Sequence, residues 1–294
     1  MTGSQSTTLD ELLQELYCLL DDRHPAPAYR FGRPRKISDT ELVCLAIAQV
    51  LLDCPAERVW LRRLPERLGY LFPVLPSRAH YNKRVRALRA RLLEALEILR
   101  ELHPSTLSQM LLVDSTPVPV GKSLGTRDRS AMNDLATYGH CAAHHRCYWG
   151  FKLILVAAPD GFPISFELVP ANTGETEALR TLLPRTAVRG KVILGDKGFA
   201  SKALEVEIRD LGGLLTRPDK KGEKERFGSL AHTRQWIESV FATLKDQLSL
   251  ERHGARTAES LTTRVLQRLL ALAAALWHNR LIGQPGRHLT AYDH

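Results

Sequence analysis

The sequence predicts an α/β chain: a mixed sheet flanked by helices, preceded by a mostly helical, basic region. Three observations carry this. The apolar residues of the first third recur at the helical period. From Met110 the pattern switches to short β-rich runs. Those runs then alternate with amphipathic helices in the order β, β, β, α, β, α, β, α, closed by a last helix.

Taken in order, Leu9 to Leu20 is amphipathic, and RFGRPRKISD is a basic connector broken by Gly and Pro. Ser38 followed by Glu41 is a capping-box signature for a helix from Asp39 to Leu52, which Cys54-Pro55 closes. A short helix is expected over Glu57 to Leu64, then a loop, LFPVLP. A long helix follows from Arg78 to Leu102, with Lys83, Arg84 and Arg86 in its first half. Small helices ending in an Arg-rich one fit a helix-turn-helix DNA reader; a solvated basic face on a packing helix fits equally. Gly32-Arg33-Pro34 in the connector also suits a minor-groove arm.

In the middle of the chain, Met110 to Val113 reads as an apolar strand that ends before Pro117 and Pro119. Phe151 to Ala158 and Phe162 to Val169 form a hairpin around Pro-Asp-Gly, with Asp160 as a turn residue. Asn172 with Glu175 is expected to cap a helix reaching Leu183. Lys191 to Gly195 is a buried strand, Ser201 starts a helix to Leu211, and another short strand lies near Leu214. Thr233 to Leu248 and Leu261 to Trp277 are helices. The expected domains are residues 1–105 (helical, DNA-binding), 106–250 (catalytic) and 251–294 (a helical extension packed on the catalytic domain).

The 294 residues carry Lys+Arg 41 against Asp+Glu 32, a net charge of +9. That balance favours a polyanionic partner, most simply nucleic acid. The five cysteines, Cys18, Cys44, Cys54, Cys141 and Cys147, are an odd number, and the first three fall in apolar helical patterns, which reads as reduced thiols in a cytoplasmic protein. The N-terminus shows no signal-peptide pattern, and apolar stretches such as Leu269 to Trp277 are too short to span a bilayer.

Two carboxylates stand just past apolar strands: Asp114 in MLLVDSTPVPV and Asp196 in KVILGDKGF. Each alone is an ordinary turn or cap residue. Together, on strands this fold would place side by side, they are costly unless a cation bridges them. A third candidate is Glu238, at the edge of a buried stripe of Ile237, Val240, Phe241, Leu244 and Leu248. Arg234 and Lys245 project within roughly 40° of it on a regular helix. An Arg–Glu surface pair is the plainer reading; the chemical one is a metal-binding Glu flanked by cations that touch phosphates. Two Asp and one Glu on a mixed sheet suit Mg²⁺-dependent phosphodiester chemistry. Lys197 and Lys152 are further candidates for phosphate contact, and Asp128 and Asp134 are spare carboxylates. His140, Cys141, His144, His145 and Cys147 crowd one loop, which fits an exposed or DNA-contacting loop better than the separated ligand pairs of a zinc site.

VDSTPVPV, YWGFKLILV, VPANTGE, ILGDKGF and RQWIESVFATLK, in this order, resemble a bacterial insertion-sequence transposase of the DDE type, with a ribonuclease H-like catalytic core. SDTELVCLAIAQ and YNKRVRAL resemble the N-terminal part of such enzymes. The resemblance implies that Asp114, Asp196 and Glu238 form the catalytic triad and bind two Mg²⁺ or Mn²⁺ ions. It implies cleavage at the element's terminal inverted repeats, then strand transfer into target DNA by a homodimer, and places Arg234 and Lys245 on the DNA backbone. Two departures bear on auxiliary contacts: Ala231 stands where a Tyr is common, and Ile154 where a His is common. About forty residues separate Asp196 from Glu238, too few for a large insertion domain. A nuclease that does not join strands, and a non-catalytic DNA-binding descendant, are the alternatives.

Overall fold

A computed structural model describes residues 8–24, 35–121, 124–141, 146–219, 222–223 and 231–292. The chain divides into two compact units: residues 1–102, 244–254 and 259–294, and residues 103–243 with 255–258.

The first unit is helical: α1 (Thr8–Arg23), α2 (Asp39–Leu51), α3 (Glu57–Leu68), α4 (Arg78–Ala87), α5 (Arg89–Leu102) and α9 (Ala258–Leu281). The capping box forms as expected: the Glu41 N–H donates to Ser38 Oγ at 3.0 Å, and the Ser38 N–H to Glu41 Oε2 at 2.5 Å. The long helix expected over 78–102 is two helices, broken at Leu88, whose φ of −84° and ψ of 11° leave the helical well. Leu88, Leu92, Leu96 and Leu99 are all buried, so the break keeps the apolar side of both helices inward. α9 belongs to this unit, not to a sheet domain as expected from its position in the chain. Polar bonds explain it: Gln267 donates to the Ala46 carbonyl at 2.6 Å, and Arg264 pairs with Glu57. Among the described residues, no helix is long and apolar enough to cross a membrane.

The second unit is built on a six-stranded sheet: β1 (Met110–Gly121), β2 (Thr137–Cys141), β3 (Arg146–Ala157), β4 (Pro163–Pro170), β5 (Val192–Leu194) and β6 (Leu214–Thr216). The order is β2-β3-β1-β5-β6, with β4 also on β3. β1 is antiparallel to β3 and parallel to β5, and β5 is parallel to β6. Helices α6 (Glu175–Leu182), α7 (Lys202–Asp210) and α8 (Ala231–Ala242) complete it. This is a mixed sheet flanked by helices, a ribonuclease H-like fold.

Three strand expectations change. β1 runs twelve residues, straight through both prolines. Pro117 pairs with Lys152 and Pro119 with Gly150, so their imide nitrogens face one edge. β5 covers that edge only as far as Leu112, so the missing N–H groups break no ladder bond. The β2 strand is an addition to the expected elements: TYGHC is short and interrupted by Gly139, which is needed because a Cβ there would lie 2.8 Å from the Ala171 Cβ. The cap of α6 is Gly174 rather than Asn172, whose Oδ1 instead accepts from the Thr137 hydroxyl at 2.9 Å. The Pro-Asp-Gly hairpin is as expected, with Gly161 at φ 99°.

Candidate active site

Strand alternation decides which way each side chain points. Leu111, Val113, Ile154 and Val156 share one face and pack in a core with Ala178, Leu179 and Leu182 of α6 and Leu204 and Ile208 of α7. Asp114 pairs with Leu155, so it belongs to the opposite face. α8 packs against β1, and none of its residues joins the α6–α7 core, which leaves it on the face of Asp114. Glu238 is exposed on that helix, while Ile237, Val240 and Phe241 are buried as the periodicity requires.

The parallel pairing of β1 with β5 ends at Leu112–Leu194. Asp114 and Asp196 each lie two residues further on, so register carries the two carboxylates to the same level where the strands part. Glycine makes the approach possible: a Cβ on Gly195 would fall 2.8 Å from the Phe199 ring and 3.2 Å from Val113 Cγ1. Asp196 caps the turn Lys197–Phe199, with its Oδ1 accepting from the Gly198 N–H at 2.6 Å. Asp114 Oδ1 accepts from the Ser115 N–H at 2.7 Å. Asp114 is thus not at the strand end that the sequence suggests, but in mid-strand at the end of its pairing with β5.

In kind, these donors fit a hard divalent cation: all are carboxylate oxygens. Among the described residues no group of three or more His, Cys, Asp and Glu is arranged to hold a metal ion, so Glu238 does not close a three-carboxylate cluster with the two aspartates. Mg²⁺ needs only one or two carboxylates, with waters and substrate phosphate completing its shell. The level pair of aspartates meets that requirement.

The expected phosphate contacts divide. Lys83, Arg86 and Lys197 are exposed. Arg84 is used internally, donating to the Ile37 carbonyl at 2.8 Å and pairing with Asp39 at 2.5 Å. Lys152 is not on the face of Asp114: it pairs with Pro117 on the α6 face and binds Glu175 at 2.9 Å and the Thr173 carbonyl at 2.9 Å. The Arg234 side chain lies outside the described residues. Residues 243–247 are π-helical, so the even helical phase assumed from Glu238 to Lys245 does not hold. Of the His/Cys loop, residues 142–145 lie outside the described residues, as do 30–34 of the connector; His140 and Cys147 are exposed.

Glu175 does more than the helix start expected of it. Its carboxylate accepts from the Ser115 hydroxyl at 2.9 Å as well as from Lys152. The hints in the sequence are that Ser115 and Lys152 fall at alternate strand positions and that Glu175 ends VPANTGE, one of the motifs of the family resemblance.

A mixed sheet of this strand order, flanked by helices, defines the class: a ribonuclease H-like fold. The family model described as Transposase DDE domain matches residues 105–274, and the chain belongs to that family. Divalent metal ions are in general use across it. No curated protein matches the chain. Among solved structures, a piggyBac transposase synaptic complex with hairpin DNA is similar, at 10% identity and a TM-score of 0.44, covering 99% of this chain and 79% of that one. A likeness at that level says nothing about what this chain does.

Proposed function

We propose that this chain cuts DNA at the ends of an insertion sequence and joins the freed 3′ end to target DNA, with Asp114 and Asp196 as its metal-binding carboxylates and Glu238, on the helix facing Asp114, as the third acidic residue of the site. The observation that carries the reading is the level placement of Asp114 and Asp196 beyond the last β1–β5 pair, with the helix of Glu238 on the face of Asp114. When bound, divalent metal supplies activation of the attacking oxygen and stabilisation of the leaving one. The chain's own part is positioning: β1 and the Asp196 turn hold two carboxylates where a phosphodiester would lie, and the exposed Lys197 beside them offers its charge to a phosphate. Lys83 and Arg86 are suited to contacts along the DNA backbone, and two element ends imply a homodimer on DNA.

The test uses labelled element-end DNA with Mg²⁺ or Mn²⁺. Cleaved and joined products are expected from the wild-type chain, and cleavage without joining would indicate a nuclease. Asp196→Ala should remove both products while DNA binding persists. Metal-dependent cleavage by that variant would overturn the site.

A further inference from the structure

Behind the two aspartates, on the α6 face of the sheet, sits a second acidic group. Glu175 opens α6, with its side chain 25% exposed. Its Oε1 accepts both from the hydroxyl of Ser115, the residue after Asp114, and from Lys152 of β3. The same side chain lies against the Asp196 turn: a point one Cβ bond out from Gly198 is 2.8 Å from Asp196 Oδ1 and 2.9 Å from Glu175 Cγ. A single side chain therefore reaches both segments that carry the aspartates: its carboxylate binds the Ser115 hydroxyl and its methylene lies beside Gly198. Its other oxygen, Oε2, is buried and has no hydrogen-bond partner among the described residues.

We infer that Glu175 is a positioning residue for the metal site formed by Asp114 and Asp196, clasping β1 at Ser115 to the Asp196–Gly198 turn. This role rests on the proposed metal-binding function of the two aspartates. β1 and β5 stop pairing before either aspartate, so no ladder bond between those strands sets the distance between the carboxylates. The Ser115–Glu175 bond and the Glu175–Gly198 contact supply the missing link. Lys152, held in place by the Thr173 carbonyl, fixes the Glu175 rotamer from β3. Groups that orient ligands without touching the metal commonly contribute about 10- to 100-fold in affinity.

The experiment measures Mn²⁺ binding to the full chain by calorimetry, without DNA, alongside thermal unfolding and metal-dependent cleavage. Glu175→Gln keeps the shape and removes the charge. It should weaken Mn²⁺ binding by about tenfold and raise the half-saturating Mn²⁺ for cleavage, with the rate recovering at high metal. A merely structural residue would lower the rate at every metal concentration. Ser115→Ala should act in the same direction by cutting the link to β1 alone, and it carries the test if Glu175→Gln does not fold. Asp196→Asn separates the role of Glu175 from the metal site itself. Loss of binding in Asp196→Asn with wild-type binding in the folded Glu175 or Ser115 variant overturns the role of Glu175. Wild-type binding in Asp196→Asn overturns the metal site.

Discussion

Two carboxylates, one in each unit, are built from the same parts and finished differently. In the helical unit Glu57 opens α3, pairs with Arg264 of α9, and receives the Asn82 amide on both oxygens at 2.8 Å. In the sheet unit Glu175 opens α6, pairs with Lys152, and receives a hydroxyl and an ammonium on one oxygen only. The two side chains are 11% and 25% exposed. Full satisfaction is what a structural ion pair requires, because a buried charge left without partners is penalised severely. A half-satisfied carboxylate beside two level aspartates is tolerable where something else completes it. The contrast sets a polar cluster that holds a fold together beside one that, by the inference above, positions a site.

The largest expected effect breaks the structural member. Glu57→Ala leaves Arg264 buried without its counter-charge; burial already pulls that guanidinium down to about 10. The loss should be about 3 kcal/mol, read by denaturant unfolding. Glu175→Ala should cost less stability, about 1 kcal/mol, since Lys152 keeps the Thr173 carbonyl and some solvent. An equal loss for both variants would erase the distinction between the two clusters.

Asp160 sharpens the comparison as a third, fully engaged carboxylate. It accepts from His103 Nε2 at 2.7 Å, from the Ser105 hydroxyl at 2.9 Å and from the Phe162 N–H at 3.1 Å. Burial alone would raise its pKa, but the hydrogen bonds from His103, Phe162 and Ser105 outweigh that and hold it below the ordinary 3.8. A depressed carboxyl stabilises the fold above its unfolded value and loses that contribution as pH falls through the folded one. Asp160→Asn should therefore lower the melting temperature at pH 7, and the gap to wild type should close below about pH 4. A gap that stays constant with pH would refute the assignment. The smallest effect is expected at Lys83, exposed on α4: Lys83→Ala should change stability by less than about 0.5 kcal/mol. It should weaken DNA binding and flatten its salt dependence, as measured by titration at several salt concentrations.

Much of the scaffold is legible in the sequence because its causes are local. The Ser38–Glu41 box, the Pro-Asp-Gly turn and the Ile237–Val240–Phe241 stripe are set by residues within a few positions of one another, and each forms as the pattern predicts. The prolines of β1 mislead because their tolerance depends on where β5 stops, and β5 lies some eighty residues further along the chain. Lys152 misleads for a related reason. Alternation shows that it faces away from Leu153, but not which helix covers that face.

By itself, then, the amino-acid order determined most of the element types, the basic charge and where the candidate acidic residues fall along the chain. Periodicity and turn preference are properties of the backbone and its nearest neighbours. Only tertiary structure decided that Asp114 and Asp196 stand level, that α9 joins the helical unit, and that Glu175 reaches Ser115 from 60 positions away. Those outcomes depend on strand register and on which faces are covered, and no local pattern encodes either.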